Sequence, residues 1–199
     1  MKASATEDMN PSMGEEDPGE VMDAAALYRA HAGFVATFLA RLGAPRAELD
    51  DLLQEVFLVA HRRGGHHPGP ARPTTWLAQI ALRVLSNARR TRRRKPTEGD
   101  DEAIALVAAA DDPFEAAASS EALRRVEHAL STLDLDHRAV FVLFELEGES
   151  CESIAAGLGI PVGTVYSRLH HARRRFQKAY EKAPAEMLAH TIAAPRGAT

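Results

Sequence analysis

Residues 152–175 read ESIAAGLGIPVGTVYSRLHHARRR, and their pattern decides the fold class. Ser150 stands where a helix needs its N-cap, Glu152 puts an acid in the first turn, and Ile154, Ala155 and Leu158 fall on one face. Gly159 breaks that helix. Pro161 carries the preset φ of a new first turn, and Val162, Val165, Leu169, Ala172 and Phe176 recur at three- and four-residue steps as the buried stripe of a second helix. With the small Ala155 before the break and Val165 after it, the pattern predicts a close helix crossing, a helix-turn-helix. The face opposite the stripe carries Thr164, Tyr166, Ser167, Arg168, His171, Arg173 and Arg174. An ordinary helical hairpin with a solvated basic face would share part of this pattern. A recognition helix in a major groove must present such hydrogen-bonding groups to base edges and phosphates.

The charges are unevenly spread along the 199 residues, whose net charge is −4. Residues 1–23 hold one Lys and seven acids, and residues 27–95 hold thirteen Lys or Arg against four acids. Residues 96–122 hold eight acids and no Lys or Arg; residues 123–183 are nearly balanced at nine against eight. The blocks predict a disordered acidic leader (1–23), a basic domain (24–95), an acidic flexible linker (96–118), a mixed domain (119–183) and a flexible tail (184–199). Only the basic parts suit phosphate. The single cysteine, Cys151, excludes a disulfide framework and a thiolate zinc cage within one chain, and fits a reducing cytoplasm. Its place in a first helical turn leaves two readings, a redox-active thiol and a plain small core residue. No apolar run approaches the roughly 20 residues needed to cross a bilayer, so no membrane insertion is expected.

The expected fold class is all-α, with two small helical domains. Apolar periodicity and Gly/Pro breaks place helices over about 24–42, 46–63, 74–94, 120–130 and 136–147, before the helix-turn-helix. The loop HHPGPARP, 66–73, forbids regular structure between the second and third. Trp76 lies in register with the third helix's apolar stripe and reads as core. In the second helix Leu49, Leu52, Leu53, Val56, Phe57 and Ala60 face inward, while Asp51, Gln54, Glu55 and Leu58 form an outward stripe. Such a stripe suits another protein or is simply solvated; DNA would be repelled there.

Together these segments resemble the sigma-70 family of bacterial RNA polymerase initiation factors, in particular its extracytoplasmic-function group. The likeness rests on Asp50, Asp51, Leu52, Leu53, Gln54, Glu55 and Phe57, and on Trp76, Leu77, Ile80 and Ala81. It continues through Glu147-Gly148, Ser150, Glu152, Ile154-Ala155, Leu158-Gly159, Val162 to Val165 and Ser167 to Leu169. The resemblance implies a region 2 domain, a region 4 domain and a promoter-directing function with no catalysis, cofactor or metal of its own. It implies core RNA polymerase as partner, met at the clamp of the largest subunit by Asp51, Gln54, Glu55 and Leu58, and at the flap of the second subunit. It implies promoter DNA read at the minus 35 element by the residues opposite the stripe. At the minus 10 element it implies Arg83, Asn87 and Arg90, with the neighbouring arginines 89, 92, 93 and 94 tracking phosphates. The loop 64–73 resembles the family loop that pockets an extruded base, and an anti-sigma factor is a further implied partner.

Departures from the family pattern carry information. Tyr166 and His171 stand where Lys or Arg is frequent, so Arg–guanine pairing is not expected there. Arg83 replaces a frequent Asn and Asn87 a frequent Asp; Asp134 replaces a proline and is itself a helix cap. A stand-alone helix-turn-helix regulator is the rival reading, although no ligand-binding or receiver domain is legible. A metalloenzyme built on His61, His66, His67, His170 and His171 lacks both ligand spacing and a general base.

Overall fold

In the computed structural model the described residues are 21–94 and 113–193, which contain seven α-helices. The leader up to residue 20, most of the linker and the last six residues lie outside them. Helix α1 (Ala24–Arg41) starts where the Asp23 carboxylate accepts the Ala26 amide at 2.7 Å, and ends at Leu42. A short 3-10 turn, Arg46–Glu48, follows Pro45 and leads into α2 (Leu49–Arg62). Asp50 and Asp51 lie at the positive end of α2, and His61 and Arg62 at its negative end. Helix α3 (Pro73–Arg94) has proline at its first position, where the missing N–H is no loss. It buries Leu77, Ile80, Ala81, Val84 and Leu85 against α1 and α2. Trp76 is half-buried against this core with His66 edge-on at 5.5 Å, so its core register holds.

The second domain comprises α4 (Pro113–Ser131), α5 (Leu135–Phe141), α6 (Cys151–Leu158) and α7 (Val162–Ala193). Ser150 caps α6, accepting the Ser153 amide at 3.1 Å, and Gly159 closes it at φ 67°, ψ 40°, a left-handed conformation open to glycine. Val165, Leu169 and Ala172 are buried as expected, and Phe176 stacks on Phe141 with ring centroids 4.7 Å apart. Val162 departs from the expected stripe: at the first position of α7 it points outward and is 40% exposed. The helix expected over 136–147 is divided. After Phe141 the chain widens into a π turn, Val142–Leu146, which keeps Val142 and Leu143 buried while Glu145 and Leu146 reach the surface. The backbone of α7 continues as helix to Ala193, into the span expected as tail.

The domains meet where α3 packs on α6, and their buried residues join in one cluster. Arg138 of α5 is buried at this seam beside Gly43 and Arg89, and its Nε has no hydrogen-bond partner among the described residues. Burial, and then the charge of Arg89, pull its pKa down to about 10, opposed by Glu127.

Asp134 caps α5, accepting the His137 amide at 3.1 Å and contacting the His137 ring at 2.7 Å. Partial burial alone would raise the Asp134 pKa. The hydrogen bonds from His137, with the charges of His137 and Arg175, outweigh that and hold it below its usual value. The contribution is therefore complete above the unfolded pKa, near 3.9, and fades as pH falls through the lower folded value. Asp134→Ala is expected to lower stability at pH 7 by about 1 kcal/mol, with the deficit narrowing below about pH 4. Urea titrations of both proteins at the two pH values check this; a deficit that does not shrink in acid would remove the carboxylate from the explanation.

Candidate functional site

The α2 stripe lies outward. Asp51 and Gln54 are exposed, Leu58 is 51% exposed, and Glu55 is half-buried with its carboxylate 2.6 Å from Arg62. Spacings of three, four and seven residues put the four on one side of the helix. Arg83, Asn87 and Arg90 are likewise exposed on one side of α3, and Arg90 donates to the side-chain oxygen Oδ1 of Asn87 at 3.2 Å. Residues assigned to two partners prove to be neighbours: Asp51 and Glu55 face Arg83 and Asn87 across a groove of about 530 Å³ between α2 and α3. Leu52, Val59, Ile80 and Val84 give it an apolar floor.

Arg89 corrects the expectation that every arginine of this run tracks phosphates. It turns inward and donates to the carbonyls of Leu42 and Gly43 at 2.7 and 3.0 Å, satisfying the open end of α1. Burial, with Arg92 and Arg93 nearby, lowers its pKa. Arg92 pairs with Glu48, while Arg93 and Arg94 are exposed.

On α7 the outward face holds Tyr166, 54% exposed, with Ser167, His171, Arg173 and Arg174 also exposed. Thr164 and Arg168 are half-buried at its edge. Several of these groups are already oriented by their own domain. Arg168 donates to Asp136 at 2.8 Å, Arg173 to Glu145 at 2.5 Å, Ser167 to the Thr164 carbonyl at 3.0 Å, and the Tyr166 hydroxyl to Glu152 at 3.4 Å. Hydrogen bonds from its own amide and from Ser150 hold the Glu152 pKa down, and Glu152 in turn raises that of Tyr166. His170 joins this face beyond the residues expected there from the sequence. It is exposed four positions after Tyr166 and four before Arg174, at the centre of this face. That helical spacing was available in the sequence.

Cys151 is buried, and burial followed by the charge of Glu152 raises its pKa despite the opposing effect of Arg173. The environment favours the thiol over the reactive thiolate. Among the described residues no group of three or more His, Cys, Asp or Glu could hold a metal ion. No described helix is long and apolar enough to cross a membrane.

Comparison with known proteins bears on both domains. The family model for sigma-70 region 2 matches residues 27–95, and that for sigma-70 region 4 matches residues 123–176. RNA polymerase sigma factor CarQ of Myxococcus xanthus is 38% identical over 160 residues, covering 78% of this chain and 84% of that protein. The ECF RNA polymerase sigma-E factor of Escherichia coli K12 is 32% identical over 147 residues, covering 70% and 76%. Among solved structures, the sigma factor RpoE of Bartonella quintana, crystallised with the anti-sigma factor NepR, shares the fold. Its TM-score is 0.58 at 23% identity, over 77% of this chain and 94% of that one. CnrH in complex with the cytosolic domain of CnrY matches with a TM-score of 0.54 at 26% identity, over 79% and 87%. With both regions matched in order and relatives aligned over most of their length, the chain belongs to the sigma-70 family of RNA polymerase sigma factors, within its extracytoplasmic-function group.

Proposed function

We propose a division of labour among four surfaces of this sigma factor, whose function is to direct RNA polymerase to promoters rather than to regulate alone. The α2 stripe of Asp51, Gln54, Glu55 and Leu58 docks on the clamp of the polymerase largest subunit, and the second domain meets the flap of the second subunit. The α7 face of Thr164, Tyr166, Ser167, Arg168, His170, His171, Arg173 and Arg174 reads duplex DNA at the minus 35 element. Arg83, Asn87 and Arg90 of α3 read the minus 10 element. The working regions of the two domains are 24–95 and 119–183, the latter within helices that run from Pro113 to Ala193; the chain works in the cytoplasm, and an anti-sigma factor restrains it. The sigma factor RpoE of Bartonella quintana, crystallised with the anti-sigma factor NepR, supports the last point. The observation that carries the reading is the pairing, in one chain, of an outward acidic and apolar stripe on α2 with a helix-turn-helix whose second helix exposes tyrosine, histidines and arginines.

Run-off transcription with core polymerase on fragments of native DNA tests it, together with footprinting with and without core. Promoter protection is expected only with core. Arg174→Ala should weaken upstream-element binding by the holoenzyme several-fold and reduce the salt slope by about 1, since each lost phosphate contact releases fewer counterions. A full footprint from the chain alone, unchanged by core, would favour the stand-alone regulator.

A further inference from the structure

Glu149 follows the π turn and, although a carboxylate, is only 5% exposed. Its partners come from both domains. The Thr74 hydroxyl donates to Oε1 at 2.6 Å, the Ser153 hydroxyl to Oε2 at 3.0 Å, and Arg72 Nη1 lies 3.6 Å from Oε2. Arg72 and Thr74 flank the junction between the loop 64–73 and the first turn of α3, upstream of Arg83 and Asn87 on the same helix. A second acid of the same turn, Glu147, pairs with Arg41 of α1. The seam is also tight: a Cβ on Gly157 of α6 would lie 2.4 Å from the Thr75 Cβ and 2.8 Å from the Thr75 carbonyl carbon. Thr75 is fully buried there.

A guanidinium and a hydroxyl directed at the two oxygens of one anionic group are what a DNA phosphate uses. A phosphodiester carries the same single charge as a carboxylate and likewise only accepts. We infer that Arg72 and Thr74 form a binding site for a phosphate of the single strand at the minus 10 element, and that in the free chain Glu149 occupies this site. The inference rests on the sigma-factor reading above. Occupation and strand binding exclude each other, because the carboxylate reaches the site only while α6 is seated on α3. Release of Glu149 thus couples separation of the domains to capture of the strand, and the closed fraction lowers the free chain's apparent affinity for single-stranded DNA.

Phosphate contacts do not depend on sequence, so the probe is a fluorescein-labelled degenerate DNA single strand of about 15 nucleotides, titrated with the full chain. Glu149→Gln keeps the shape and removes the charge. Gly157→Ala wedges the seam without altering a charge, and alanine favours the α6 helix itself. Each is expected to bind the strand about tenfold more tightly than wild type and to raise the radius of gyration in solution scattering. Adding Arg72→Ala to Glu149→Gln should cancel the gain while leaving the expanded dimensions. Unchanged affinity in both single variants, or a gain that survives loss of Arg72, overturns the inference. Run-off transcription with wild type and core polymerase separates the two levels. Transcripts alongside unchanged strand affinity in the variants remove the Glu149 device alone; no transcripts from wild type remove the sigma reading and the inference with it.

Discussion

Asp51→Lys combined with Glu55→Lys is expected to separate the chain from core RNA polymerase, lowering affinity by at least about a hundredfold while helix content stays unchanged. Both carboxylates lie on the outward side of α2, with Asp51 exposed and the Glu55 side chain 46% exposed. On the proposed docking of this stripe, reversal places two positive charges where two negative ones met the partner, and like charges facing each other across an interface cost several kcal/mol. The fold has little at stake. The surface pair of Glu55 with Arg62 contributes about 0–1 kcal/mol, and an acid at a helix N-terminus about 0.3–1 kcal/mol. The core residues beneath, Leu52, Val56 and Phe57, are untouched. Size-exclusion co-elution with core, beside circular dichroism of the free variant, provides the check. Normal holoenzyme formation by the folded variant would move the polymerase contact off this stripe.

The parts of this molecule legible in sequence are those with local periodicity. Ile154, Leu158, Val165 and Leu169 announce the helix-turn-helix because burial on one side of a helix repeats every three or four residues, and the caps at Ser150 and Gly159 mark its ends. The outward stripe of α2 was legible for the same reason. Arg89 was not. In sequence it is one arginine of a basic run, and only the open carbonyls of Leu42 and Gly43, more than forty residues earlier, turn it inward. Glu149 was hidden similarly, since Thr74 and Arg72 lie more than seventy residues away and leave no trace in its neighbours. The π turn over 142–146 is a single extra residue in a helical run, below what periodicity resolves. Val162 misled for a further reason: at the first position of a helix, hydrophobic spacing continues before the chain has turned onto the core. Long-range packing, rather than local pattern, thus decides which charged residues remain free for a partner.

That distinction bears most on the groove between α2 and α3, where Arg83 and Asn87 face Asp51 and Glu55 of the α2 stripe. Arg83→Ala with Asn87→Ala is expected to lower open-complex formation about a hundredfold while core polymerase binding stays within about twofold of wild type. A side chain that hydrogen-bonds a base contributes about 1–3 kcal/mol to recognition, and two on one helix face give an effect of this size. Both side chains are exposed and leave the core of α3 intact, so the loss should appear in promoter opening and not in stability. Permanganate reactivity of the melted strand reads the opening, and co-elution with core reads docking. The pair of readouts decides how the groove is used. If opening falls and docking holds, its walls serve two partners, acids for polymerase and Arg83 with Asn87 for DNA. If docking falls in proportion, the groove is one polymerase site, and recognition of the minus 10 element must come instead from the loop 64–73 and the basic end of α3. Unchanged permanganate reactivity with normal docking would take both residues out of the DNA interface.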